Sequence, residues 1–403
     1  MKQELAAGGA RFDVVIAGGG PAGSAAALTL LRYTSLRVAL VEESARSRPR
    51  AGEVLTPGAY PLLEYLGAAA RFSGAGHRPS SGIESTWGSG SLSATDFVFN
   101  PLGHGWILAR DRFDGALTDS VRDLGGVVLE RASVQTVRRG RAATWNVHVR
   151  SEQGASVIRA RSLIDATGRR AAIARRLGSG CVVADRLFAV AGTYRPGRSS
   201  TRASSTLVEP VPEGWWYQVR LPDDRFLVTL ITDGTGVRSQ GLPRTRAWRS
   251  LVERTTHVGR RIGDAVLDSE PHVAPASSQV SQPAAGPGWI AVGEAAAAFD
   301  PLSAMGLGYA LYTGIAGARS AERHLVAGSD GLSETYSAEV SAHYRRYWAR
   351  RSAYYKLERR WPGAPFWRTR HAFGADLPEG VTGVATELSS SDALRSTHAA
   401  DDG

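Results

Sequence analysis

Three glycines and one acid near the amino end have the spacing of a phosphate-binding device. Gly18, Gly20 and Gly23 form G-x-G-x-x-G inside V-V-I-A-G-G-G-P-A-G-S-A-A, and Glu42 follows about twenty residues later. Gly18 permits a tight turn. Gly20 lets the backbone approach a pyrophosphate, and Gly23 lets a helix pack close to a sheet. Pro21 and Ala22 complete the turn. A helix N-terminus there would offer free N–H groups and partial positive charge to phosphates. Glu42 would accept hydrogen bonds from a ribose hydroxyl. The chemistry implied is dinucleotide binding.

The elements around these residues decide whether the pattern has meaning. Asp13 to Ala17 is a short β-rich run, Ser24 to Arg32 reads as a helix, and Leu36 to Val41 reads as a second strand ending at Glu42. Leu163 to Gly168, L-I-D-A-T-G, is a strand closing in a small-residue turn. Trp215, Tyr217, Val219 and Leu221 alternate on one face, and Pro222-Asp223-Asp224 predicts a hairpin within Thr206 to Thr232. A helix is expected around Thr245 to Val258. Another is expected over Tyr336 to Leu357, with Tyr336, Val340, Tyr344, Tyr347 and Tyr354 near one stripe.

Composition narrows the classes. The chain has 403 residues, 43% of them hydrophobic, and a net charge of +10. Lysine occurs only at Lys2 and Lys356, so nearly all 48 basic residues are arginine. A solvated basic surface and steering of an acidic partner both fit, but no nucleic-acid motif is present. The single cysteine, Cys181, excludes an intrachain disulfide, and the nine histidines show no metal-ligand spacing. No metal site is expected. Val14 to Leu31 and Trp289 to Ala316 are apolar, but glycines and Pro21 break the first, and Glu294, Asp300 and Pro301 interrupt the second. Each charge at mid-bilayer costs about 2.5–3.5 kcal/mol. No membrane span and a reducing cytoplasmic location are expected.

Three segments favour FAD over a nicotinamide. Ile107 to Leu117, I-L-A-R-D-R-F-D-G-A-L, resembles the R-x-x-[LF]-x-x-x-L helix of flavoprotein monooxygenases, with Arg110, Phe113 and Leu117 matching. The D-A-T-G turn is the second. Trp289 to Gly308, W-I-A-V-G-E-A-A-A-A-F-D-P-L-S-A-M-G-L-G, resembles their second FAD motif, G-D-A-A-x-x-x-x-P, with Glu294 in place of aspartate. G-E-V-L-T-P at Gly52 to Pro57, P-L-L-E-Y-L-G, S-T-W-G-S, D-F-V-F-N-P-L-G-H-G-W, F-D-P-L-S and Y-Y-K-L-E-R-R-W-P-G-A-P-F-W-R add a closer resemblance. Together, over about Phe12 to Arg370, they resemble flavoproteins of the tryptophan-halogenase-like group. The closest likeness is to those that hydroxylate a peptidyl tryptophan in tryptophylquinone maturation.

The resemblance implies an α/β fold: an FAD-binding Rossmann-type domain, p-hydroxybenzoate hydroxylase-like, interleaved with an antiparallel substrate-binding sheet and followed by a C-terminal helical region. The FAD domain is expected over 1–75, 105–180 and 286–330, the sheet over 76–104 and 181–285, the helical region over 331–375, and a frayed tail over 376–403. Implied cofactor contacts are Gly18, Gly20, Pro21, Ala22, Gly23, Glu42, Gly52, Arg110, Val134, Gly293, Glu294, Pro301, Gly306 and Leu307. Arg110 is expected at the ribityl or phosphate region. The implied chemistry is oxygen activation as a flavin hydroperoxide, then oxygen transfer to an electron-rich ring such as indole, in a small molecule or a peptide. Molecular oxygen is the co-substrate. Electrons would come from NAD(P)H or from reduced flavin supplied by a partner reductase.

Catalytic candidates carry alternatives. His104, between two glycines, would donate to a flavin or peroxide oxygen or take a ring proton; otherwise it is a satisfied loop histidine. Glu53 is a pocket acid or a capping residue. Asp300 orients a substrate N–H or caps the next helix. Trp87, Phe99, Trp106, Trp215 and Trp216 are candidate aromatic walls. Halogenases hold hypohalous acid on an active-site lysine and carry W-x-W-x-I-P. Here no lysine lies between Lys2 and Lys356, and Trp215-Trp216-Tyr217-Gln218-Val219-Arg220 does not fit that motif. Arginine keeps its charge spread over a plane and is a poor substitute. A halogenase-like enzyme, a flavin-dependent reductase of prenyl chains, and a non-catalytic FAD-binding maturation partner remain the alternatives.

Overall fold

A computed structural model of the chain describes residues 9–44, 53–327 and 331–374. Strand β1 (Arg11–Ala17) is buried without interruption from Val14 to Ala17, as a strand covered on both faces must be. Helix α1 (Pro21–Tyr33) begins three residues before the expected Ser24. Proline is suited to that first position, because the N–H it lacks would have no helical partner. β2 (Val38–Glu42) runs parallel to β1, with Val15 opposite Ala39. Helix α2 (Arg110–Asp123) precedes β3 (Gly154–Asp165), which flanks β1 on its other side and pairs Leu163 with Val15. Trp289–Ala291 and Val127–Glu130 extend this parallel sheet at its two sides. Ala17 and Asp165 end their strands opposite one another, and Val41, one residue before the end of β2, is level with them, so three carboxyl ends open on one crevice. The first strand lies between β2 and β3, the place where such sheets bind ligands.

The second sheet is built from β4 (Leu187–Arg195), β5 (Thr206–Val211), β6 (Gly214–Arg220) and β7 (Phe226–Asp233). β6 and β7 form the expected hairpin, with Tyr217 opposite Thr229. One face carries Trp216, Val228 and Leu230 against Trp248. The single helix expected over Thr245 to Val258 is two helices, Thr245–Glu253 and His257–Ile262. Glu209 on β5 explains the break. Its carboxylate accepts the N–H groups of Thr256, His257 and Val258 at 2.7, 3.0 and 2.8 Å, satisfying donors that a new helix start leaves open.

Helices α3 (Gly306–Ala327) and α4 (Gly331–Tyr355) follow, and a short helix, Pro365–Ala372, comes after them. Gly314 lies against the Ala22 carbonyl with no room for a Cβ, which brings α3 close to α1. On α4, Tyr336, Val340, Tyr344 and Tyr347 are buried as the stripe predicts. Tyr354 is not: it is exposed, and Tyr355 continues the buried face. The expected tail lies outside the described residues from 375 onward. Among the described residues, no helix is long and apolar enough to cross a membrane, and no His/Cys/Asp/Glu group could hold a metal ion.

Candidate functional site

The crevice at the carboxyl ends of β1, β2 and β3 widens into a cavity of about 1490 Å³ that reaches the second sheet. Single-ligand pockets run to about 1,000 Å³, so this one has room for more than one molecule.

The glycine turn forms one end. Gly18 has φ +107° and would drive a Cβ into the Ala166 carbonyl oxygen; Gly23 would drive one into the Gly18 carbonyl oxygen. Two close crossings therefore need bare backbone. Gly18, Gly20, Pro21 and Ala22 line the cavity, whereas Gly23 packs behind it. Gly20 caps α1 without any side-chain hydrogen bond, which leaves the helix start open to an anion. Glu42 lines the same end; its carboxylate accepts the Gly19 N–H, and the Ser44 N–H at 2.8 Å.

The middle of the cavity gathers the other expected contacts. Arg110 and Val134 line it. Arg110 Nη2 lies 3.3 Å from both Asp114 oxygens. His77, which sequence reasoning missed, accepts the Ala109 N–H at 3.2 Å and so fixes the entry to α2. Burial, aided by Arg112, lowers its pKa to about 4, so it is a neutral acceptor at neutral pH. Glu294 lines the cavity and pairs with Arg169 at 3.0 Å. Pro301, Gly306 and Leu307 line it as well. Gly293 does not; at φ +60° its N–H donates to Thr313 Oγ1 at 2.8 Å. Gly52 lies outside the described residues. Asp165, in the D-A-T-G turn, organises the turn with its fully buried carboxylate. It accepts from Thr167 N and Oγ1 at 2.9 and 2.7 Å, and from Ile173 and Ala174 N–H groups at 2.8 Å.

The second sheet supplies the far wall. Ala191, Thr229 and Tyr217 form one cross-strand row, flanked by Ala189 and Ile231, and all five line the cavity. Glu53 is buried and lines it beside them. Burial raises the Tyr217 phenol well above its ordinary pKa, and the negative charge of Glu53 adds to this. Sequence alternation places Tyr217 on one face of β6 but does not say what that face meets.

Several expectations need correction. His104 does not line the cavity. It is exposed, its Nδ1 lies 2.9 Å from the Gly105 carbonyl, and its ring packs on Trp106. Its glycine neighbours serve other ends: Gly103 sits at φ +78°, and Gly105 is pressed between Leu55 and Phe97. None of the five proposed aromatic walls lines the cavity either. Phe99 is 89% exposed. Trp106 packs on Phe72, and Trp216 faces Trp248 on the opposite side of β6. Trp87 and Trp215 belong to a cluster with Tyr355 and Trp367. The aromatic walls that do line it are Tyr217 and Phe299. Asp300 lines the cavity, yet its carboxylate is committed. It accepts from the Leu302 N–H, Arg351 Nε and the Tyr355 hydroxyl, each at 2.9 Å, so it caps and anchors its turn.

The arrangement fits FAD: an open helix start for a pyrophosphate, an acid at the end of the second strand, and a second turn facing the same space. The comparisons agree. Residues 13–186 match the family described as FAD dependent oxidoreductase. The chain is 32% identical over 371 residues to LodB of Marinomonas mediterranea, named as an FAD-dependent oxidoreductase, covering 90% of this chain and 98% of LodB. Among solved structures, the flavin-dependent halogenase CmlS superposes with a TM-score of 0.80 at 26% identity, over 89% of this chain and 67% of CmlS. The peptidyl tryptophan dihydroxylase QhpG, at 23% identity, shares the fold with a TM-score of 0.71 over 90% of this chain and 79% of its own. This chain belongs to the FAD-dependent oxidoreductases of the halogenase-like group.

Proposed function

We propose that the protein is an FAD-dependent monooxygenase that hydroxylates an electron-rich aromatic ring, an indole foremost, borne by free tryptophan or by a tryptophan of a peptide. The observation that carries this over halogenation is the lysine count. Lys2 and Lys356 are the only lysines; Lys356 does not line the cavity, and Lys2 lies outside the described residues. The amine on which the halogenases hold hypohalous acid has no counterpart among the described residues that line the cavity. QhpG, named as a peptidyl tryptophan dihydroxylase, shares the fold, which supports this reading.

Bound and reduced, FAD would supply the electrons that activate molecular oxygen; NAD(P)H or a partner flavin reductase would reduce it. The chain's residues do the rest. The α1 start and the Gly18–Gly20 turn would hold the pyrophosphate, and Glu42 would accept hydrogen bonds from the ribose hydroxyls. Glu294, held by Arg169, would accept hydrogen bonds from the ribityl hydroxyls. Phe299, Met305 and Leu307 give the middle of the cavity an apolar lining that excludes water. Tyr217 and Glu53 sit where a ring enters from the second sheet. Tyr217 keeps its proton and donates to the substrate. Glu53 accepts the proton that the ring carbon loses when aromaticity returns.

The test is oxygen uptake by the reduced holoprotein with tryptophan and tryptophan-containing peptides in chloride buffer, scored by product mass. Gain of one oxygen atom supports the proposal. Chlorine in place of hydrogen, gain of two hydrogens on a prenyl substrate, or no product with any of them would contradict it.

A further inference from the structure

Behind the Asp300 turn, oxidisable rings run from the cavity wall to the surface. Tyr355 is fully buried, and its hydroxyl donates to Asp300 Oδ2 at 2.9 Å while accepting Trp215 Nε1–H at 3.0 Å. Its ring centroid lies 5.4 Å from that of Trp87. Trp87 in turn lies 5.1 Å from Tyr354, which is 42% exposed, and is tied to it by an Nε1–H bond of 3.0 Å to the Tyr354 carbonyl. A core built only for packing does not require a phenol aimed at a carboxylate of the cavity wall, nor a chain of rings that ends in solvent. We propose that Tyr355, Trp87 and Tyr354 form a one-electron conduit that drains oxidising equivalents from the FAD cavity to the surface when no substrate consumes them.

Each step balances. A one-electron oxidant in the cavity, the photoexcited oxidised flavin in the test below, takes one electron from Tyr355. The phenolic O–H bond breaks and its proton moves to Asp300 Oδ2, leaving a neutral tyrosyl radical. Arg351 stays paired with Asp185 at 2.6 Å while Asp300 is protonated. Trp87 then returns an electron to Tyr355, which recovers its proton from Asp300. Tyr354 refills Trp87 and releases its own proton to water, and an external thiol reduces the surface tyrosyl. Burial holds the Tyr355 phenol protonated, so its oxidation needs a proton acceptor already in place.

The conduit rests on the assignment of the cavity to FAD, so the flavin absorption band of the holoprotein is recorded first. The holoprotein, free of substrate, is then exposed to blue light with a nitroso spin trap, and the adducts are mapped by mass spectrometry. The expected result is a trapped radical on Tyr354, its loss in Trp87→Phe, and its return in Trp87→Tyr, with flavin absorption retained in all three proteins. An intact flavin band with no adduct on Tyr354, or equal labelling in Trp87→Phe and the unaltered protein, overturns the conduit alone. Absence of the flavin band in the unaltered protein overturns both the conduit and the cofactor assignment.

Discussion

At the scale of single residues, Glu53 and Tyr217 line the cavity and His104 does not, so the proposed proton path runs through the first two. A positioned acid or base contributes about 10²–10⁴-fold to rate. Glu53→Gln should therefore lower kcat by a factor in that range while the flavin spectrum and FAD affinity stay unchanged. Equal turnover would remove Glu53 from the proton path. His77 gives a pH test. Its folded pKa of about 4 lies below the ordinary 6.5, so the folded protein binds fewer protons between these values. The stability this contributes is complete above pH 6.5 and is lost progressively as pH falls toward 4. Melting temperature should fall across that window, and His77→Gln should flatten the slope. Glu53 could be found from sequence because it stands in the G-E-V-L-T-P stretch that carries the family resemblance, and it does line the cavity. Tyr217 was hidden because strand parity fixes which residues share a face, not what covers that face. His104 misled because glycines on both sides look like access to a ligand, yet one shapes a turn and the other is squeezed by Phe97.

At the scale of elements, the first turn and helix depend on bare backbone at Gly18 and Gly23. Gly23→Val would push a side chain into the Gly18 carbonyl and separate α1 from the turn. The purified variant should carry no flavin absorption; stoichiometric flavin would refute the geometry. This region was legible because the strand, the glycines, the helix and the acid are contiguous in the chain. The break between the helices Thr245–Glu253 and His257–Ile262 was not, because the residue that stabilises it, Glu209, sits on a distant strand. Glu209→Ala leaves three helix-start N–H groups without their carboxylate. Only the Val258 bond is fully buried, and one buried unsatisfied group costs about 1–3 kcal/mol, so a loss of that order is expected in denaturant unfolding.

At the scale of the whole molecule, one buried ion cluster joins parts that the sequence presents as separate. Arg351 of α4 bonds Asp185, just before β4, and Asp300, on the cavity wall; all three side chains are at most 2% exposed. Removing one partner of such a group typically costs about 3–5 kcal/mol, because the remaining charges stay buried. Arg351→Leu should lose stability of that size, and Arg351→Lys should lose less. No spacing rule reveals this cluster, since its members lie far apart in the chain and meet only after both sheets have formed. The two sheets were legible through their alternation and motifs, whereas the wall they share was not. The account's central claim is that this shared wall delivers one atom of molecular oxygen to an aromatic ring. The most direct measurement is turnover of a tryptophan substrate under ¹⁸O₂ with bromide present. The account predicts a product carrying ¹⁸O and no bromine; a brominated product, or one whose added oxygen comes from water, would contradict it.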